Sequence, residues 1–166
     1  DPASALTQEF VGNLKRREVE ITDEVQKNFT GPTEGQAVLA VRRAQTFFRR
    51  AVLAAYDWRC CISENPVPEL LVASHIIPWS GYPEHRTNPH NGLCLSRLHD
   101  AAFDRGLITL DEQCRVVISS SLQSYLPSLT LKENFVRFEG KRIRLPQKLA
   151  PSTKFLQIHR EQIFLG

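Results

Sequence analysis

From Leu70 to Ile108 the chain reads LLVASHIIPWSGYPEHRTNPHNGLCLSRLHDAAFDRGLI, and this stretch restricts the fold more than any other. A short apolar run, about Leu70 to Ile77, carries His75 and stops at Pro78, which cannot donate to a strand ladder. A loop dense in Gly, Pro, Asn and His follows and ends near Asn91. Leu95, Leu98 and Ala102 then recur at helical spacing, and Gly106 is placed to stop that helix. The local order is strand, loop, helix, with His75, Asn91 and His99 on one each.

That order suits one-metal cleavage of a phosphodiester. The substrate repels nucleophiles, so a base must deprotonate water and a cation must stabilise charge on the leaving oxygen. His75 is the candidate base, because an ordinary imidazole titrates near pH 6.5 and accepts a proton at neutrality. His99 is the candidate metal ligand, offered from the helix toward the strand, and the two rings are expected to converge on one phosphate-sized space. Asn91 suits a pinning role in the loop, fixing the tautomer of His75 through a backbone carbonyl. Taken singly, a histidine is more often a hydrogen-bonded bystander, and Asn before Gly is usually only a turn. The joint spacing carries the reading.

Upstream, Val41, Ala44, Phe48, Ala51, Val52 and Ala55 form one apolar arc, which predicts a helix over 36–57. Arg42, Arg43, Arg49 and Arg50 fall in a sector of about 120° on its other side. Four guanidinium forks there could grip phosphates, and a solvated helix face is the competing reading. Residues 1–35, with LKRREVE and the breaker GPTEG, read as a linker or an arm of a neighbouring module, leaving 36–166 as the domain proper. After Gly106 the period changes to two. LITLDEQCRVVIS predicts a β-hairpin turning near Asp111–Gln113, and FVRFEGKRIRLP another turning at Glu139–Gly140. SSLQSYLPSLT is read as holding a short helix. Pro151–Ser152 opens a last helix with Phe155, Ile158 and Gln162 on one side.

Hydrophobic residues make up 42% of 166, enough for one core. The net charge of +3 permits a nucleic-acid partner without demanding one, since a local basic face matters more than the total. No apolar run approaches a membrane span. Cys60, Cys61, Cys94 and Cys114 are too few for a disulfide framework, which fits a reducing, cytoplasmic setting. The chain has no methionine and opens on Asp1, as a piece of a longer protein would.

ASHIIPWS, NPHNGLCLSRLHDAAFDRGLI and KFLQIHREQIF together resemble the HNH endonuclease family, in the branch with HI-x-P at the first histidine and H-D/R-x-x-FD-x-G at the last. RRAQTFFRRAVLAAYDWRCCISE resembles the stretch that often precedes the motif, so the likeness covers about 37–164. The resemblance implies an α+β fold: a ββα-metal core with the Arg-rich helix before it, additional β-hairpins and a C-terminal helix. It implies a metal-dependent DNA endonuclease, with His75 as general base, Asn91 as middle asparagine and His99 on the metal, leaving 5′-phosphate and 3′-hydroxyl ends. Such domains serve prokaryotic restriction and anti-phage defence proteins, fused to recognition or sensor modules. Arg97 and His90 join the four helix arginines as DNA-contact candidates. A homodimer would bring the two active sites that a concerted double-strand break needs.

Two departures matter. Many members place an aspartate before the catalytic histidine as a metal ligand, and this chain has Ser74. The remaining ligand candidates are His99, Ser74 and Asp100, with water and substrate phosphate completing the shell of one divalent ion. Mg or Mn is expected there, with Zn or Ni also compatible with nitrogen ligation. Asp104 is read as bracing the helix end, with metal ligation as the competing reading. Many members also carry paired C-x-x-C motifs for structural zinc, a spacing these four cysteines lack. The alternative is a weak or inactive HNH-like DNA-binding module, its metal site degraded at Ser74.

Overall fold

The computed structural model describes residues 34–166. LKRREVE and the rest of the expected arm lie outside the described residues. The first helix, α1, runs Glu34–Ala55, starting two residues before the expected position and taking in Gly35. By contacts the chain divides into two compact units between Ala44 and Gln45. Arg42 and Arg43 are exposed on the first unit, and Arg49 and Arg50 are exposed on the second.

In the second unit α1 buries Phe48, Val52 and Leu53, spaced so that they share one side of the helix. Strand β1 (Leu71–His75) pairs antiparallel with β2 (Gly92–Ser96), Ser74 opposite Leu93 and His75 opposite Gly92. Helix α2 (Arg97–Asp104) follows β2 directly, capped by Ser96, whose hydroxyl accepts from the His99 amide. It ends at Gly106, whose φ of +69° suits a residue without Cβ. These three elements make a ββα unit.

Strand β2 is where the residue pattern misled. Its five residues are all buried, so no alternation marks them, and Leu95 reads as helical. Gly92 has an ordinary extended backbone, φ −127°. It is needed for space: a Cβ there would collide with Val52 Cγ2 and come within 3.0 Å of Phe48. The NG pair therefore marks a close approach of α1 to the hairpin.

The hairpin after Gly106 forms as expected, from β3 (Ile108–Leu110) and β4 (Val116–Ile118). Asp111 Oδ1 closes its turn by accepting from the amides of Gln113 and Arg115. The second expected hairpin does not form as a ladder. Val136–Phe138 is a 3-10 turn, and single bridges, Val116 with Glu139 and Arg115 with Arg142, attach this segment to β4. Gly140 turns the chain there, φ +72°. SSLQSYLPSLT contributes α3 (Ser120–Gln123) and the cap of α4 (Leu129–Asn134).

The last helix, α5 (Thr153–Gln162), is capped by Ser152 as the Pro-Ser opening predicts. It buries Phe155, Leu156 and His159; Ile158 is half-buried and Gln162 is exposed. His159 is fully buried, its Nδ1 paired with Thr109 Oγ1 at 2.8 Å and its Nε2 donating to the Phe103 carbonyl at 3.0 Å. Burial pulls its pKa down to about 4. This imidazole joins α5 to β3 and α2 as a neutral structural group.

Candidate active site

His75 stands at the end of β1 with its ring flat on Phe48, centroids 4.1 Å apart and planes 3° from parallel. Its Nε2 lies 2.8 Å from the Arg86 carbonyl. A carbonyl can only accept, so Nε2 carries the proton and the neutral ring keeps its basic lone pair on Nδ1. The tautomer is thus set by the backbone of the loop between β1 and β2.

Asn91 holds that loop. It is completely buried. Its Oδ1 accepts from Ile77 N at 2.9 Å, and its Nδ2 donates to the carbonyls of Ile77 (3.2 Å) and His85 (3.4 Å). Its own carbonyl accepts from Ile76 N, carrying the pairing of the two strands one step past the ladder. One amide therefore ties the loop's start to the residue preceding Arg86, the residue that fixes His75.

His99 is placed differently from the expectation. It is 2% exposed, and both ring nitrogens are engaged. Nε2 donates to the Asn134 carbonyl at 2.7 Å, and Nδ1 is 2.7 Å from Ser96 Oγ, with Cys60 Sγ at 3.8 Å. Phe135 and Phe138 meet the ring edge-on. His75 sits against Phe48 and the Arg86 carbonyl, whereas His99 is enclosed by Ser96, Cys60, Asn134, Phe135 and Phe138. The cause is α2 itself, which turns residue 99 toward the segment 134–138 and closes it there. The ring binds α2 to α4 and supports Cys60. Burial pushes the Cys60 thiol up, but the hydrogen bond and charge of His99 outweigh this and bring it down to about 6. Burial, reinforced by the neighbouring Cys60 and only partly countered by the Arg49 charge, pushes Cys94 up to about 12.

The other two ligand candidates are buried. Ser74, 2% exposed, has an Oγ with no hydrogen-bond partner, an uncompensated cost inside a folded core. Asp100 is buried on the first turn of α2, where the helix dipole favours a negative charge. Among the described residues no group of three or more His, Cys, Asp or Glu forms a metal cage. A cation here would draw few protein ligands and complete its shell with water and substrate oxygen. The Ser74 hydroxyl and the Asp100 carboxylate are the candidate oxygen donors left to such an ion, and both lie inside the fold.

Of the DNA-contact candidates, Arg49 spends one guanidinium nitrogen on the Leu71 carbonyl at 3.0 Å, and Arg97 donates Nε to Glu69 O at 3.1 Å. His90 is exposed, with Nδ1 donating to the Ala150 carbonyl at 2.7 Å. The residue reading missed Phe48 as the floor of His75 and Arg86 as its anchor. Phe48 stood in the apolar arc of α1 without a sign of its partner, and a backbone carbonyl leaves no mark in a sequence.

Two antiparallel strands and a helix, with a histidine at the end of the first strand and a clamping asparagine before the second, make up a ββα core. Residues 60–111 match the model of the family described as HNH endonuclease, which bears out the family read from the motifs over that segment. No curated protein matches the chain. Among solved structures, one described as a modification dependent TagI restriction endonuclease matches at 16% identity and a TM-score of 0.47. The match covers 70% of this chain, which spans 37% of that one. No described helix is long and apolar enough to cross a membrane.

Proposed function

We propose that this chain is the nuclease domain of a DNA endonuclease, hydrolysing phosphodiesters with His75 as general base. The observation that supports this most is the fixed tautomer of His75, Nε2–H on the Arg86 carbonyl and the basic lone pair on Nδ1. Nδ1 takes a proton from water as the water oxygen forms a bond to phosphorus. The P–O3′ bond breaks, and O3′ leaves with the electron pair and is protonated by solvent, giving the 5′-phosphate and 3′-hydroxyl ends that the resemblance implies. Phe48 keeps the imidazole from tilting, and Asn91 acts on it through the loop.

A divalent ion, Mg or Mn by preference, would be held by Asp100 and Ser74 and would supply charge stabilisation at the leaving oxygen. His99 positions α2 for that task. Arg49 and Arg50, with Arg97 and His90, supply the electrostatic approach for DNA in the second unit, and Arg42 and Arg43 offer the same charge on the first. A restriction or anti-phage role in a prokaryotic cytoplasm, fusion to a sensor module and a homodimer for double-strand cutting follow from the family resemblance and belong to the same proposal.

The test is cleavage of supercoiled plasmid by the chain with Mg²⁺ or Mn²⁺. Nicking that stops on chelation and in Asp100→Asn supports the reading. DNA bound but uncut with every divalent ion favours the alternative, a DNA-binding module with a lapsed metal site at Ser74.

A further inference from the structure

Trp79 and Arg86 meet within the loop that joins β1 to β2, the guanidinium carbon 4.0 Å from the centre of the indole ring. Asn91 clamps that loop at Ile77, two residues before Trp79, and at His85, one before Arg86. The pair is therefore held on a fixed frame. Stacking uses the flat face of a guanidinium and none of its N–H groups, which lie in the plane. Arg86 Nε is buried and has no hydrogen-bond partner. Among the described residues no carboxylate pairs with Arg86; Glu84, nearest in sequence, meets His85 at 3.7 Å. With its face on Trp79 and Nε bonded to no protein acceptor, the guanidinium is held in place without its fork being spent on a protein partner.

The main chain of the same residue holds His75 by its carbonyl. We propose that Arg86 is a substrate-binding residue that grips non-bridging oxygens of a DNA backbone phosphate and sets it against Nδ1 of His75, with Trp79 as the platform that keeps the fork aimed. This rests on the nuclease reading above. A phosphate fits because its paired oxygens match the fork of a guanidinium, and because the chemistry at His75 needs that anion beside it. Binding and chemistry are coupled through one residue: its side chain holds the anion and its backbone holds the base.

Arg86→Gln keeps a stem and amide donors but removes the charge, and Arg86→Lys keeps the charge without the fork. Duplex DNA binding is measured by fluorescence anisotropy over a salt series with chelator present, and nicking separately with Mn²⁺. In Arg86→Gln the slope of log affinity against log salt should shrink by about one, the mark of one lost phosphate contact, and Arg86→Lys should keep the slope. Nicking should fall roughly 10²-fold in both, because the phosphate is no longer held in line. Trp79→Leu, with Arg86 intact, should raise KM and leave the slope as it was. If Arg86→Gln binds with an unchanged slope while the unsubstituted chain binds and cuts, the role of Arg86 is refuted and the nuclease reading stands. If the unsubstituted chain neither binds nor cuts DNA, both fall.

Discussion

Asn91 shows how a side chain can act on a reaction without touching it. Its three hydrogen bonds fix the loop that fixes His75, and all are made in a fully buried place. Asn91→Ala would leave the Ile77 amide unpaired inside the core, which costs about 2–3 kcal/mol and should appear as a lower urea midpoint. His159 makes a second residue-scale prediction. Its folded pKa, about 4, lies below the usual 6.5. Between these values the unfolded chain binds the proton and the folded chain does not. Stability therefore falls as pH drops through that window, by up to about 3 kcal/mol, and is fully present above pH 6.5. Urea melts at pH 7 and pH 4.5 check this, and His159→Gln should flatten the difference.

At the scale of elements, the contact of α1 with the hairpin decides whether His75 has a floor. Gly92→Ala would push against Val52 and Phe48, costing roughly 1–3 kcal/mol by overpacking. It should slow nicking beyond what the stability loss explains, because Phe48 is the ring on which His75 lies; rates measured well below the melting temperature separate the two. The same contact shows what the sequence made legible. The motif order placed β1, α2, the Gly106 stop, the first hairpin and the Ser152 cap, because each has a local signal in period, breaker or cap. β2 was hidden by burial on both sides. The second hairpin was misread because alternation in FVRFEGKRIRLP is compatible with isolated bridges as well as a ladder. His99 was legible as a helix residue near the site. Its direction was not, since one step along a helix is about 100° and only the packing of segment 134–138 shows which step faces where.

At the scale of the molecule, the core and the candidate site make separate demands on metal. The four cysteines are buried free thiols, and the core around them is closed by apolar packing. Chelation should therefore stop nicking while leaving the melting temperature within about 2 °C, which scanning calorimetry with and without chelator measures. A large drop would show that metal holds the fold together. The account's centre is the base at His75, fixed by one carbonyl and one aromatic ring. The most direct measurement is the single-turnover nicking rate of His75→Ala with Mn²⁺, beside its melting curve. Loss of about 10²–10⁴-fold in a folded protein is the predicted result; nicking at an undiminished rate would contradict it.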